Sequence, residues 1–366
     1  MRTSLHSCYP GIGALPRVEL CELPTPLEAI TEQSLAAGCG TLWVKRDDLT
    51  SSVYGGNKVR KLEFLLGDAV VKGAKSVITF GAYGSNHALA TAVHARRLGL
   101  EPHVILSPQE PGPYAARTLR AHAGLGTVIH VIEGWDGKRA AVEARRELTE
   151  RDEVEPAVIP MGGTSALGAI GYVDAAFELF GQTLGRLAAG EDAPPMPDVV
   201  YVAGGTLGTA VGLAVGFAAL EVPTRVVSVR VTPLEVASAE IAATLIDELV
   251  AKLREHDATF PELAGDDVAL ELRDDWFEPG YGVPTPETLN AVSSAEEAGL
   301  HLETTYTGKA LAALRADAAA GSLGDKAVLF LDTYNSAPYP EPGDDAKLPE
   351  ALRHYVAECD RLFGAV

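Results

Sequence analysis

Two glycines stand directly before a lysine in the segment GGNKVRK, where Gly55 and Gly56 lead into Asn57 and Lys58. A lysine amine can attack a carbonyl carbon and form a covalent adduct. Glycine has no Cβ, so the backbone before this lysine can turn tightly or approach a ligand closely. An ordinary surface lysine needs no such neighbours. We therefore predict that Gly55 and Gly56 lie on a loop that makes room for a flat, carbonyl-bearing ligand at Lys58.

A second glycine-rich segment, AGGTLGTA, has the features of a phosphate-binding turn. Gly204, Gly205 and Gly208 expose backbone N–H groups where a predicted strand leads into a predicted helix. Thr206 and Thr209 add hydroxyl groups, so the segment can bind phosphate without a lysine or arginine. It is neither a Walker loop nor a GxGxxG dinucleotide motif. A tight turn with no ligand is the alternative.

Ser85, Asn86 and His87 follow a predicted strand and open a predicted helix in the segment GAYGSNHA. Free backbone N–H groups and the positive end of a helix dipole meet at such a position and suit a carboxylate. A simple helix N-cap is the alternative, since serine or asparagine forms one without a ligand.

Two tyrosines have comparable positions. Tyr281 lies between glycines in GYG, and Tyr306 precedes a predicted helix in TTYTGKA. Each could instead be a core residue whose hydroxyl is bonded within the protein.

Together these features describe a site for pyridoxal 5′-phosphate. The Lys58 amine would condense with the aldehyde of this cofactor, and the glycine-rich turn would bind its phosphate. The Ser-Asn-His turn would receive the carboxylate of a small amino-acid substrate. The combination predicts an enzyme, because a lysine-bound cofactor beside a carboxylate site serves amino-acid chemistry.

Composition limits the classes of partner. A chain of 366 residues has room for two domains, and its net charge of −20 argues against nucleic acids and anionic membrane surfaces. The four cysteines lack metal-ligand spacing, so we expect no metal site. The first residues do not resemble a signal peptide, and no apolar run reaches the length of a membrane span. We therefore expect a soluble, cytoplasmic protein.

Apolar and amphipathic runs alternate along the chain in the manner of βαβ units. The predicted strands span 76–82, 103–107, 127–133, 198–205, 225–231 and 327–333. The predicted helices span 86–99, 114–122, 136–150, 208–220, 234–255, 285–298, 308–320 and 348–363. This order indicates an α/β fold with mostly parallel sheets in two lobes. The motifs follow the strands, and ligands of such sheets bind at the carboxyl ends of strands.

The sequence resembles the family of D-cysteine desulfhydrases and 1-aminocyclopropane-1-carboxylate deaminases. The resemblance runs from about residue 16 to 335 and is carried by LWVKRDDLTSSVYGGNKVRKLEFLL, GAYGSNHALATA, MGGTSALGAIGYVDAAFEL, AGGTLGTA, GYGVP and YTGKA. These enzymes belong to the tryptophan-synthase-β class, called fold type II, in which the cofactor lies between two lobes. The resemblance implies a large cofactor-binding domain of residues 1–60 and 172–366, with a smaller domain of residues 61–171 inserted. We also expect a homodimer.

The resemblance implies a role for each matching residue. Lys58 would hold the cofactor, with Asn57 beside it, and would move the α-proton of the substrate. Ser85, Asn86 and His87 would hold the substrate carboxylate; Asn86 would also touch the cofactor 3-hydroxyl, and Ser85 would lie nearest the reacting carbon. The remaining matches are the phosphate loop and the two catalytic tyrosines: Gly204, Gly205, Thr206, Leu207, Gly208, Tyr281 and Tyr306.

Thr307 separates two activities within this family. The deaminases have a glutamate here, which charges the pyridine nitrogen of the cofactor, whereas the desulfhydrase branch has threonine. A neutral partner leaves the ring a weaker electron sink, which suffices to eliminate a good β-leaving group. We therefore predict α,β-elimination by a carbon–sulfur lyase, giving a 2-oxo acid and ammonia. Ring opening like that of the deaminases is the alternative.

One segment departs from the family pattern. Asp332 to Asn335 stand where the family has His-Thr-Gly-Gly. Tyr334 in place of a glycine should reshape the substrate pocket, and Asp332 should change its charge. The substrate can therefore differ from a small thiol amino acid. Two further classes stay open: a non-catalytic pyridoxal phosphate binder and a nucleotide-binding oxidoreductase, the second opposed by the missing GxGxxG.

Overall fold

Helices and strands alternate along the chain and build two separate β-sheets. The structure is a computed structural model that describes residues 4–134, 137–190 and 195–364. The strands are β1 (Leu27–Ala29), β2 (Thr41–Arg46), β3 (Ser76–Ala82), β4 (Glu101–Ser107), β5 (Val128–Val131), β6 (Ala157–Val158), β7 (Val199–Gly204), β8 (Arg225–Arg230), β9 (Leu270–Arg273) and β10 (Ala327–Asp332). The helices are α1 (Leu5–Cys8), α2 (Gln33–Ala36), α3 (Lys58–Val71), α4 (Asn86–Arg97), α5 (Pro113–Leu125), α6 (Lys138–Asp152), α7 (Ala166–Ala189), α8 (Gly208–Ala219), α9 (Ala239–His256), α10 (Pro286–Glu297), α11 (Thr307–Ala319) and α12 (Glu350–Phe363).

The two sheets are mostly parallel. The first has the strand order β1-β2-β10-β7-β8-β9, and the second has the order β5-β4-β3-β6. Within the described ranges, every neighbouring pair whose register is resolved runs parallel except β1 with β2. The predicted α/β architecture is therefore confirmed. Residue 136, the predicted start of one helix, lies outside the described residues.

Strand β7 shows why an apolar run predicts a central strand. Val200 and Val202 pack into the core beneath α7 and α8, while Val199 and Tyr201 pack into the core on the side of α10 and α11. Successive side chains of a strand point to opposite faces, and here both faces are covered by helices. All four positions are therefore apolar, and the strand ends at the glycine-rich turn.

The lysine segment differs from its prediction. Helix α3 begins at Lys58, so the lysine is the first residue of a helix. A Cβ on Gly55 would overlap the carbonyl oxygen of Asp48, and a Cβ on Gly56, whose φ is +92°, would lie 2.9 Å from the carbonyl oxygen of Thr333. The missing side chains therefore let protein backbone segments pack together. The prediction that these glycines make room for a ligand is wrong.

A buried ionic cluster fixes the start of α3. The Arg60 guanidinium donates to both carboxylate oxygens of Asp47 at 2.8 Å, and to Glu178 of α7 at 3.0 and 3.1 Å. Asp47 also accepts a 2.8 Å hydrogen bond from the Tyr172 hydroxyl. Removing one partner of such a cluster leaves an uncompensated buried charge, which typically costs about 3–5 kcal/mol. The cluster thereby holds the first turn of α3, and with it Lys58, against α7.

The last helix returns to the second sheet. In α12, Leu352, Val356 and Cys359 pack in one core cluster with Leu106 of β4 and Leu119 of α5. The chain therefore crosses from the end of β10, in the first sheet, to the helices of the second. The domain division at 60/61 and 171/172 stays a prediction.

Candidate active site

A cavity of about 390 Å³ opens where the carboxyl ends of the two sheets face each other. Its walls include Ala82 after β3, Ser107 after β4, Ala203 of β7 and Thr232 after β8. Most of the predicted site residues line it: Asn57, Lys58, Ser85, Asn86, His87, Gly205, Thr206, Leu207, Tyr281, Tyr306, Thr307 and Tyr334. Gly204 and Gly208 flank the lining as the last residue of β7 and the first of α8.

The Lys58 amine is held at the cavity wall. Its Nζ donates a 2.8 Å hydrogen bond to Asn57 Oδ1, and Asn57 Nδ2 donates to Thr209 Oγ1 at 3.0 Å. Burial lowers the pKa of Lys58 to about 8, although the negative charge of Glu303 acts in the opposite direction. A lysine with a lowered pKa carries more neutral amine at physiological pH, which is the form that attacks a carbonyl.

The glycine-rich turn forms the start of α8. Leu207 has the left-handed backbone conformation, with φ 66°, and the N–H of Gly208 bonds to the carbonyl oxygen of Thr206 at 2.9 Å. The Thr232 hydroxyl fixes the turn by donating to the Gly205 carbonyl oxygen at 2.6 Å. Unpaired amides at the N-terminus of a helix suit a phosphate group.

Lys61 reaches this turn, which the sequence argument missed. A Cβ on Gly208 would lie 3.0 Å from Lys61 Nζ, and this Nζ donates to the carbonyl oxygen of Gly162 at 3.1 Å. Burial, with a smaller effect of the Lys58 charge, holds the pKa of Lys61 well below its usual value. The expectation of a phosphate turn without a lysine is therefore wrong. The available signal was the three-residue spacing from Lys58, which puts both amines on one helix face.

The Ser-Asn-His turn combines an N-cap with a cavity wall. Ser85 Oγ accepts from the N–H of Ala88 at 3.2 Å, so the serine does cap α4. His87 is buried, and its Nε2 is 2.9 Å from Thr79 Oγ1. Burial and the charges of Lys58 and Lys61 hold the pKa of His87 well below its usual value. The imidazole is therefore neutral and brings no positive charge to a bound carboxylate.

The two tyrosines form a hydroxyl pair. The Tyr281 and Tyr306 oxygens are 2.7 Å apart. Burial raises the pKa of Tyr281 to about 12, and burial together with Tyr281 raises the pKa of Tyr306 well above its usual value. Both hydroxyls therefore stay protonated at neutral pH. The pair can give a proton to a group in the cavity.

A carboxylate stands beside Thr307. Glu303 lines the cavity, and its carboxylate accepts from the backbone N–H groups of Thr305, Tyr306 and Thr307 at 2.7, 2.9 and 2.8 Å. The Thr307 hydroxyl oxygen accepts from the N–H of Glu303 at 3.0 Å and lies 3.2 Å from its Oε1. The sequence argument treated Thr307 as a neutral group and missed this acid. Its signal was an acidic residue just before a predicted helix, where it accepts the free amides.

The segment after β10 contributes Thr333 and Tyr334 to the cavity wall. Asp332 is buried outside this lining, and burial and the Asp48 charge raise its pKa well above the usual value. The expected effect of Asp332 on the charge of the pocket is therefore wrong. Asn335 has a structural role, because its Oδ1 accepts from the N–H of Gly55 at 2.6 Å.

The residues present fit pyridoxal phosphate. Lys58 offers an amine of lowered pKa, and the start of α8 with Lys61 offers donors for a phosphate. Within the described ranges, no group of three or more His, Cys, Asp or Glu side chains could hold a metal ion. No helix in the same ranges is both long and apolar enough to cross a membrane.

Comparisons with known proteins agree with this site. The family model described as pyridoxal-phosphate dependent enzyme matches residues 18–333. The crystal structure of an ACC deaminase homologue is 31% identical over 99% of this chain and 100% of that chain, with a TM-score of 0.75. A fungal L-serine ammonia-lyase from Rhizomucor miehei (18% identity, 93% and 99% coverage, TM-score 0.54) and a threonine deaminase from T.th. (20%, 87% and 94%, 0.53) share the fold. The predicted fold type II architecture is confirmed, and the chain belongs to the family of pyridoxal-phosphate dependent enzymes.

Proposed function

We propose that this enzyme is a lyase that removes a β-substituent from a small amino acid and yields a 2-oxo acid and ammonia. One observation carries the proposal: the Lys58 amine and the Tyr281–Tyr306 hydroxyl pair line the same cavity. A base for the α-proton and an acid for the leaving group are both needed for α,β-elimination.

The chain supplies the groups for each transfer. When bound, the cofactor withdraws electrons from the α-carbon of the amino acid. Ser85 and Asn86 hold the substrate carboxylate at the start of α4. The Lys58 amine takes the α-proton, the β-substituent leaves with its bonding electrons, and the tyrosine pair protonates it where it is basic. The unsaturated amine that remains is hydrolysed to the 2-oxo acid and ammonia.

The test is product formation from β-substituted amino acids. The holoenzyme is incubated with the D- and L-forms of cysteine, serine and β-chloroalanine, and 2-oxo acid and ammonia are measured. Tyr281→Phe should slow serine far more than β-chloroalanine, because hydroxide needs a proton to leave and chloride does not. No product from any of these compounds would contradict the proposal and favour the non-catalytic binder.

Ring opening of 1-aminocyclopropane-1-carboxylate is the second candidate. It is favoured by the 31% identity to an ACC deaminase homologue and by the Glu303 carboxylate beside Thr307. Product from this compound and none from the β-substituted amino acids would establish it in place of elimination.

Tyr334 is proposed to limit the size of the substrate. Its ring lines the cavity, and its hydroxyl lies 3.2 Å from that of Tyr339. Tyr334→Ala should favour bulkier β-substituents, measured as the ratio of kcat/KM for S-benzylcysteine to that for cysteine. Tyr334→Phe, which keeps the ring, is the matched control and should leave that ratio unchanged.

The remaining predictions have direct tests. Borohydride reduction and peptide mapping should place the cofactor on Lys58, and recovery on Lys61 or Lys309 would contradict this assignment. Sedimentation equilibrium tests the predicted homodimer, and fractionation of the source cells tests the predicted cytoplasmic location.

A further inference from the structure

Tyr54 lies behind the Ser-Asn-His turn and contacts it through its hydroxyl. The ring is 1% exposed, and Oη donates a 3.1 Å hydrogen bond to Asn86 Oδ1. The backbone carbonyl of Tyr54 is 2.9 Å from His94 Nε2, which ties the residue to α4. Burial raises the pKa of Tyr54 well above its usual value, so the phenol stays protonated and remains a donor.

This bond decides which side of the Asn86 amide is available to a ligand. An amide side chain offers an acceptor oxygen on one side and two N–H donors on the other. Since Tyr54 occupies Oδ1, the N–H groups of Asn86 remain for the cavity that this residue lines. Within the described parts of the chain, no protein atom accepts from these N–H groups. Buried donors need acceptors, so an oxygen of a bound molecule suits this position.

The second asparagine of the cavity has the opposite orientation. Asn57 uses its N–H groups on Thr209 and offers Oδ1 to the Lys58 amine. Asn57 therefore presents an acceptor to a positive group, while Asn86 presents donors. The two amides are both fixed by neighbouring hydroxyls, and only the neighbour differs.

The segment after β10 supports Tyr54 from the other side. The Tyr54 and Tyr339 rings meet edge-on with centroids 5.6 Å apart. The Arg117 guanidinium of α5 stands 3.9 Å from the centre of the Tyr339 ring. Tyr339 is thus held between the two layers of the protein, and it holds the Tyr54 ring in place.

We propose that Tyr54 is a positioning residue that fixes Asn86 with its N–H groups toward the cavity, where they donate to an anionic oxygen. That oxygen belongs either to the substrate carboxylate or to the cofactor ring. This inference rests on the proposed function, because it requires an amino-acid ligand and its cofactor in this cavity.

The test compares Tyr54→Phe with the wild-type holoenzyme. Alanine and ethylamine, which is alanine without its carboxylate, are titrated while the visible absorbance of the bound cofactor is followed. The variant should raise the Kd of alanine about threefold to tenfold, the usual effect of one lost hydrogen bond. An unchanged Kd for ethylamine identifies the substrate carboxylate as the partner. An equal rise for both ligands, with a shifted absorbance maximum of the free holoenzyme, identifies the cofactor oxygen.

Two further variants control the experiment. Tyr355→Phe removes a hydroxyl that donates to the Glu110 carbonyl oxygen at 2.9 Å, outside the cavity lining, and should change neither Kd. Asn86→Asp keeps an acceptor for Tyr54 but replaces the N–H groups with a carboxylate oxygen, so it should weaken alanine more than Tyr54→Phe does. It also keeps the proposal testable where Tyr54→Phe fails to fold.

Unchanged affinities and an unchanged absorbance maximum in folded Tyr54→Phe would overturn the proposal. So would unchanged alanine binding in Asn86→Asp. The proposed function is judged separately, by borohydride fixation of the cofactor on Lys58 and by product formation in the wild type. Neither measurement depends on Tyr54.

Discussion

Lys58 and Asn57 are neighbours in the chain and are also joined through their side chains, by a 2.8 Å hydrogen bond from Nζ to Oδ1. The bond holds the amine against the wall of a cavity that is formed by both sheets. An amine in such a place loses hydration, and the loss weighs most on its charged form. The pH dependence of its reaction with the cofactor follows directly.

We predict that the apoenzyme takes up pyridoxal phosphate with a pH midpoint near 8. Burial lowers the pKa of Lys58 to about 8, and only the neutral amine attacks the aldehyde. The uptake rate should fall about tenfold for each pH unit below the midpoint and level off above it. Stopped-flow absorbance between pH 6 and 10 measures this. A rate that rises to pH 10.5, as for a free lysine side chain, would contradict it.

Removing the Glu303 charge should move this midpoint further down. The negative charge of Glu303 favours the ammonium form of Lys58 and so raises its pKa. Glu303→Gln should therefore shift the midpoint below 8 by a fraction of a pH unit. The amide oxygen still accepts from the N–H groups at the start of α11, so the fold should persist. Glu235→Gln, at an exposed position on the same cavity wall, is the control and should leave the midpoint unchanged.

Gly55→Ala should destabilise the protein whether or not the cofactor is bound. Its methyl group would overlap the carbonyl oxygen of Asp48, and such overpacking typically costs about 1–3 kcal/mol of unfolding free energy. Urea denaturation of the apo and holo forms should show equal losses. Gly185→Ala, inside α7 with open space around it, should instead raise stability. A loss confined to the holo form would show that Gly55 clears space for the cofactor after all.

The sequence predicted best where one face or both faces of an element are apolar. Strand β3 has the predicted bounds, 76–82, because each of its residues except Phe80 is buried and uncharged. Strand β9, with the sequence LELR, was not predicted, since its residues are only half-buried and two are charged. Helix α3 was missed for a related reason. Its buried face carries Arg60, Lys61 and Glu63, so periodicity of apolar residues cannot mark it.

The site was predictable where chemistry depends on residue type and not where it depends on long-range pairing. A lysine beside glycines and a glycine-rich turn are visible in the sequence, and both line one cavity. The contact of Lys61 with the turn at Gly208 joins segments about 150 residues apart, and no local pattern encodes it. The same holds for Tyr54 and Asn86, whose bond depends on the packing of α4.

The last prediction concerns Lys61, whose amine stands beside the phosphate turn with its pKa held well below the usual value by burial and by Lys58. A bound phosphate dianion would favour the ammonium form and raise that pKa again. Binding of a phosphate should therefore take up a proton, and more so at higher pH, where more of the free Lys61 is neutral. Pyridoxine 5′-phosphate is the suitable probe, because it has the phosphate but no aldehyde to react with Lys58.

Calorimetry in two buffers of different ionisation enthalpy counts the protons taken up. Wild-type apoenzyme should show an uptake that grows from pH 7 to pH 9, and Lys61→Met should lose this uptake and bind the probe more weakly. Lys72→Met removes an exposed lysine at the far end of α3, which pairs with Asp68, and should behave as wild type. Equal proton uptake by wild type and Lys61→Met would show that Lys61 does not charge against the phosphate. The turn would then bind phosphate through its amides alone, as the sequence had indicated.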